Sequence, residues 1–235
     1  MNKAAIIVAG GKGSRMGGSI PKQYLEIGGK PILMHTLEAF FNYDPNLTLV
    51  LVLPEVDFPF WKELCKKFSF DIPHEMVVGG KSRFQSVKHG LDYLDWEDGL
   101  VAIHDGVRPF VSQEVISNGF EEALHSGSAI AVVPLKDSIR KLTDDDRSFY
   151  QEREYFRLVQ TPQTFDLKRI KKAFDVTELR HFTDDATVFE HQGWQVSLIA
   201  GNPENIKITT PEDMEYASFL IQKKKDKYNF PRFKG

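Results

Sequence analysis

The sequence predicts an α/β fold: a mostly parallel sheet covered on both faces and interrupted once by a protruding β-arm. Three observations lead there. Short apolar runs alternate with segments of helical period through residues 4–133, the pattern of strands buried on both sides. The first run opens directly into a glycine-rich loop, Gly10-Gly11-Lys12-Gly13. Between about 136 and 158 the rhythm gives way to a charged stretch with no helical period, and a long excursion in a compact domain is usually functional or interfacial.

Ala4-Ala5-Ile6-Ile7-Val8 is the first buried strand, and after the loop Leu33, Leu37, Phe40 and Phe41 recur at helical spacing. Leu47–Leu53 is a second strand closed by Pro54, and residues 57–68 form a helix with Pro59 near its start. Met76-Val77-Val78 is a short third strand before Gly79-Gly80. Ser82 caps the next helix, whose apolar face is Phe84, Val87, Leu91 and Leu94. Leu100–Ile103 is a fourth strand running into His104-Asp105-Gly106-Val107-Arg108-Pro109; Ile116, Phe120, Ala123 and Leu124 face the core from the helix behind it. Ala129–Val133 is the fifth strand.

In the charged stretch, Ser138–Leu142 and Tyr155–Val159 are expected to pair as the arm's hairpin. Asp166 then caps a short helix, Thr183-Asp184-Asp185-Ala186 starts another, and Val196–Ile199 and Asn205–Thr209 are two further strands. Thr210-Pro211-Glu212-Asp213 is a helix start, with a capping threonine, proline in the first turn and acids at the positive end of the dipole. The apolar period stops at Lys223, so residues 223–235 are expected to fray beyond a domain spanning 1–222.

Composition removes several function classes. With 30 basic against 33 acidic residues, a net charge of −3, the chain offers neither a nucleic acid nor a membrane surface as its partner. Cys65 is the single cysteine, which excludes an intramolecular disulfide and argues against a thiol-based zinc site. No apolar run is long enough for a signal peptide or a membrane span, and a cytoplasmic location is expected.

The glycine loop, with Arg15 and Lys22 close behind it, is suited to a polyphosphate: a bent backbone turns its N–H groups outward beside two cations. It is not the dinucleotide fingerprint, because Met16 occupies the third glycine position. Nor is Gly80-Lys81-Ser82 a P-loop, since Glu75 stands at its first glycine. In open α/β sheets ligands bind outside the carboxyl ends of the strands. Those ends bring the glycine loop with Arg15 and Lys22, then Gly79 to Ser86, then Asp105 and Arg108, and later Lys207; Thr161 and Thr183, placed ahead of helices, add hydroxyl and N–H donors. Several cations, one carboxylate and small donors suit transfer at phosphorus, where catalysis is positioning plus charge stabilisation. No nucleophile-elbow motif supports acyl transfer. Each residue also has a plainer use: Asp105 as a helix cap, Arg108 as a surface ion pair, Lys207 as an outward strand lysine, and Asp184-Asp185 as first-turn acids.

Six segments, AGGKGSRMG, PKQYL, HDGVRPF, TPQTF, TDDA and NIKITTPED, stand in an order and spacing that resemble the 2-C-methyl-D-erythritol 4-phosphate cytidylyltransferases of the non-mevalonate isoprenoid pathway. The chain is also similar to the ribitol-5-phosphate cytidylyltransferases of teichoic acid synthesis. The resemblance runs from about residue 3 to 221. It implies one nucleotidyltransferase (Rossmann-like) α/β domain and a homodimer formed through the arm at about 136–158. It further implies CTP and a polyol phosphate as substrates, with Mg2+ carried mainly by the CTP phosphates. By this resemblance Ala9, Gly10, Gly11 and Gly13 hold CTP, Arg15, Lys22 and Lys207 serve catalysis at its phosphates, and Gly80 and Ser86 recognise cytosine and ribose. Asp105 lies beside the ribose and the acceptor phosphate, Arg108, Thr161 and Thr183 line the acceptor, and Ser138 and Arg153 reach a neighbouring subunit's site. Two positions depart from the pattern: Lys81 replaces an aspartate that some relatives place near the base, and Ser138 replaces a common threonine while keeping its hydroxyl. Three rivals remain at this stage: the same chemistry on ribitol 5-phosphate, a sugar-1-phosphate uridylyl- or guanylyltransferase, and a silent nucleotide-binding module.

Overall fold

The computed structural model describes residues 1–11 and 20–229. In chain order the strands are β1 (Lys3–Val8), β2 (Glu26–Ile27), β3 (Lys30–Pro31), β4 (Thr48–Leu53), β5 (Glu75–Val78), β6 (Leu100–Asp105), β7 (Ser128–Pro134), β8 (Ile139–Leu142), β9 (Ser148–Gln151), β10 (Arg157–Asp166) and β11 (Leu198–Ala200). The helices are α1 (Ile32–Tyr43), α2 (Phe58–Lys67), α3 (Arg83–Tyr93), α4 (Gln113–Ser126), α5 (Leu167–Ala173), α6 (Asp185–Glu190) and α7 (Pro211–Asn229). Seven strands make one sheet in the order β11-β7-β10-β6-β1-β4-β5. All neighbours are parallel except β10, which runs antiparallel to both β6 and β7.

Side chains alternate across each strand, so the continuous apolar runs feed two cores. On one face Ala5, Ile7, Leu49 and Leu51 pack with Leu33, Leu37, Phe40, Trp61 and Phe120. On the other, Ala4, Ile6, Val50 and Val52 pack with Phe84, Val87, Leu91, Phe165 and Phe189. A third cluster, Ile27, Ile32, Val107, Phe110, Ile208 and Ala217, seats α7 against the loop after β6. At Gly90 on α3 an added Cβ would lie 2.7 Å from the Ile6 side chain, so this glycine sets how closely the helix approaches β1. Two predicted caps form, Ser82 accepting from Gln85 N–H and Asp166 from Arg169 N–H, and Asp184, expected as a first-turn acid, is itself the cap of α6, accepting from Thr187 N–H.

Five expectations are corrected. Arm strand β8 pairs with β9, and the expected partner segment instead enters the main sheet, where Arg157–Val159 pair with Pro134–Val132. A 3-10 turn at Arg153–Tyr155 redirects the chain between them. Thr161 therefore sits inside β10 rather than ahead of a helix. Residues 205–209 form no strand: Ile208 N–H donates to Val107 O, a loop carbonyl, and Ile208 is buried in the third cluster. Leu124 is 52% exposed, one position beyond the face formed by Ile116, Phe120 and Ala123. Finally, α7 continues to Asn229, past the loss of apolar period at Lys223; lysine's intrinsic helix propensity allows this without an apolar period.

Candidate active site

Three hydrogen bonds extend the parallel ladders one step beyond the strand ends. Ala9 N–H donates to Val52 O at 3.0 Å, Gly79 N–H to Leu53 O at 2.8 Å, and Gly106 N–H to Val8 O at 2.9 Å. The exits of β1, β5 and β6 are thereby held at one edge. A Cβ on Gly106 would stand 2.8 Å from Ala9 Cβ, so the two exits touch with no room for a side chain. Ser86 Oγ accepts from Gly80 N–H at 3.1 Å and donates to Ser82 O at 2.8 Å. A Cβ on Gly10 would lie 3.9 Å from the same Oγ, which groups Gly10, Gly80 and Ser86. Among the described residues nothing lies within 4 Å of a Cβ on Gly11.

Lys22 begins a 3-10 turn, Lys22–Tyr24, tied to this edge by its neighbours. Buried Gln23 donates through Nε2 to Ala9 O at 2.9 Å, and Tyr24 Oη donates to Asp57 at 3.0 Å. The expected loop residues Gly13 and Arg15 lie outside the described residues.

Asp105 is the electrostatic centre. Its Oδ2 lies 3.0 Å from Lys207 Nζ and 3.2 Å from Arg108 Nε, and its Oδ1 lies 3.6 Å from Arg83 Nε. Burial works to raise its pKa, but Arg83, Lys207 and Arg108 outweigh it and hold the carboxyl well below the usual carboxylate range. The Asp105 N–H, two residues past the last β6–β10 pair, donates to Thr161 Oγ1 at 3.0 Å. Arg108 Nη1 donates to Asn205 O at 2.8 Å, and Asn205 Nδ2 to Thr161 O at 2.7 Å. These bonds replace the ladder that residues 205–209 lack and set Lys207 beside Asp105. His104, behind the cluster, bonds through Nε2 to Arg108 O, which makes Nε2 the donor; burial pushes its pKa down to about 4. It is a structural histidine.

Arg83 was not singled out in the sequence. Its Nη1 and Nη2 donate to the two oxygens of buried Asp185 at 2.8 and 2.7 Å. One signal existed: a cation in the first turn of a helix opposes the dipole and calls for a partner. Gln163 joins the same face, donating to Asp184 Oδ2 at 2.7 Å and accepting from Ala186 N–H at 2.9 Å. The start of α6, and Thr183 just before it, is thereby docked on β10. Ser138 and Arg153 lie apart from this cluster, where with Tyr150, Gln151, Glu152 and Glu154 they line a cavity of about 380 Å³ in the arm.

The model of the family described as 2-C-methyl-D-erythritol 4-phosphate cytidylyltransferase matches residues 3–223. The chain belongs to that family. A 2-C-methyl-D-erythritol 4-phosphate cytidylyltransferase from Bacteroides fragilis is 50% identical over 221 residues, covering 94% of this chain and all of that protein. One from Phocaeicola vulgatus is 48% identical over the same shares. Among solved structures, a 4-diphosphocytidyl-2C-methyl-D-erythritol synthase from Anaerococcus prevotii has a TM-score of 0.82 at 32% identity, covering 94% of this chain and 96% of that one. As a member of the 2-C-methyl-D-erythritol 4-phosphate cytidylyltransferase family, the chain is a cytidylyltransferase. Family membership, not the fold, decides against the uridylyl- or guanylyltransferase and silent-module rivals.

Proposed function

We propose that the chain transfers CMP from CTP to 2-C-methyl-D-erythritol 4-phosphate, the acceptor that its relatives' names carry, by direct displacement at the α-phosphorus. A phosphate oxygen of the acceptor forms the new P–O bond, the bond from the α-phosphorus to the bridging oxygen breaks, and pyrophosphate leaves with that electron pair. The attacking phosphate is already ionised at neutral pH, so no general base is required. The observation that carries the reading is the cation set at the strand ends, Lys207 and Arg108 held on Asp105 beside the Ala9–Gly10 exit.

In this reading Ala9, Gly10, Gly11 and Gly13 cradle CTP, and Gly80 and Ser86 meet cytosine and ribose. Arg15, Lys22 and Lys207 stabilise the charge that builds at the reacting phosphorus. Asp105 keeps Lys207 extended toward that point. Thr161 Oγ1 accepts from the Asp105 N–H, which leaves its own proton to donate to an acceptor phosphate. Arg108 and Thr183 complete the acceptor side.

Among the described residues no three His, Cys, Asp or Glu side chains converge as metal ligands, and Asp105 is surrounded by cations. That donor set does not suit a protein-held ion. Magnesium fits here as an ion carried on the nucleotide's own phosphates, and no step of the displacement is assigned to it. The arm reading is a homodimer in which Ser138 and Arg153 enter the partner's site. It is supported by exposed Leu142, Phe149 and Tyr150 on the two-stranded ribbon and exposed Tyr155 and Leu158 where the chain returns to the main sheet, apolar surface that a second copy would cover. The nucleotide substrate and the lone thiol of Cys65 fit a cytoplasmic setting.

The test is pyrophosphate release from CTP and magnesium with 2-C-methyl-D-erythritol 4-phosphate or ribitol 5-phosphate as acceptor. The first is expected to be strongly preferred. Preference for ribitol 5-phosphate would overturn the choice of acceptor, and Lys22→Ala with wild-type turnover would overturn the roles.

A further inference from the structure

Arg83 holds none of the roles above, yet it touches both sides of the site. It opens α3 directly after the capping Ser82, on the helix that also presents Ser86 to Gly80. Its two terminal nitrogens grip both oxygens of Asp185, the first residue of α6 after Thr183 and Asp184. This fork-on-fork pairing fixes the guanidinium plane. The remaining nitrogen, Nε, lies 3.6 Å from Asp105 Oδ1, an ion-pair distance rather than a hydrogen bond. Oδ2 of the same carboxylate carries Lys207 and Arg108. Each Asp105 oxygen therefore has its own cationic neighbours, and the carboxylate cannot turn without losing one set.

We propose that Arg83 is a positioning residue: clamped by Asp185, it sets the orientation of the Asp105 carboxylate and through it the place of Lys207 during turnover. This rests on the reading of Asp105 and Lys207 given under Proposed function. The alternative role for Arg83 is charge neutralisation of buried Asp185 and nothing more.

The two roles separate in the double variant Arg83→Met/Asp185→Leu. Replacing both members of a buried ion pair by apolar residues of similar size is often neutral or stabilising, whereas removing one strands a buried charge. The double variant is expected to melt close to the wild type even if Arg83→Met alone fails to fold. Its kcat should nevertheless fall by about tenfold or more, with KM for CTP changing by less than about threefold. Arg83→Lys should not restore kcat, because a single ammonium cannot reproduce a fork that meets two carboxylates. Wild-type kcat in the double variant would overturn the proposal. Asp105→Asn, assayed alongside, tells which premise failed. Wild-type turnover there would sink the role of Asp105 and the proposal with it; low turnover there, with a fully active double variant, would sink the role of Arg83 alone.

Discussion

The carboxyl end of the sheet and the arm carry the same kinds of side chain in opposite settings. Asp105 is 6% exposed and meets three cations at the end of a strand buried on both faces. Asp145, at the arm's tip, also accepts from an arginine, Arg147 Nε at 2.7 Å, yet its side chain is 56% exposed. Around Asp105, ladder bonds and two packed cores hold the carboxylate and its arginine partners in place, and preorganised charge is what stabilises a transition state. The arm has two four-residue strands and no core of its own. The Asp105 cluster is held by bonds within the chain; the arm's exposed apolar surface is, in the dimer reading proposed above, what a second copy covers.

The hardest test of that contrast removes the arm. Deleting residues 138–156 should give a folded monomer with turnover lowered below detection, read by sedimentation and pyrophosphate release. The main sheet should survive, because β10 pairs with β6 and β7 independently of β8 and β9. A fully active monomer would break the contrast, since the arm would then complete nothing.

Next in size is Lys207→Ala. Lys207 is 42% exposed at its side chain and packs no core, so the fold should be unchanged. Turnover should drop about a hundredfold to a thousandfold, with a smaller change in KM for CTP, if the lysine acts chiefly on the transition state. An equal loss through KM alone would reassign it to ground-state binding.

These two regions were legible in the sequence to different degrees, for a physical reason. The buried parallel strands announce themselves as apolar runs, and Asp105, Arg108 and the glycine loop follow because they sit at strand ends. β10 did not, because its buried stretch Gln160–Thr164 is mostly polar. Gln163, Gln160 and Thr161 side chains accept from Ala186 N–H at the start of α6, Asn205 Nδ2 and the Asp105 N–H, partners far away in the chain that no local period encodes. The same holds for Arg83 and Asp185, 102 residues apart. The segment carrying Lys207 had the right alternation for a strand, but its apolar positions pack against α7 and the loop after β6 instead of joining the sheet. On the arm, β8 was readable. β9 is a short run whose Phe149 and Tyr150 are exposed between two polar residues and carry no burial signal, so the more apolar Tyr155–Val159 run stands out as the expected partner of β8.

A pH titration sharpens the contrast further. His104 is buried against Phe40, and its pKa is pushed down to about 4, so the fold favours the neutral ring. Its contribution is complete above the ordinary value of about 6.5 and is lost as pH falls from there through 4, on the order of 3 kcal/mol in all. Asp105, held low by its cations, keeps its stabilising charge until below the ordinary carboxylate range, so its loss comes later in the titration. Chemical denaturation should thus show stability falling between about pH 6.5 and 4. His104→Gln, which keeps a donor for Arg108 O but cannot titrate, should flatten that slope. An unchanged slope would place the acid sensitivity elsewhere.

The smallest effect belongs to the arm's own ion pair. Asp145→Ala removes a contact between two exposed side chains, where water and salt already screen the attraction and ordering two flexible chains costs entropy. Thr143 Oγ1 also donates to Asp145, but Thr143 keeps its backbone and hydroxyl bonds to Arg147 O without it. Melting midpoint and turnover should both match the wild type, at low salt as well as high. A clear loss of turnover with an unchanged midpoint would mean that the tip itself meets the partner's substrate. The surface covered by the second copy would then extend from the Ser138–Arg153 cavity to the end of the arm.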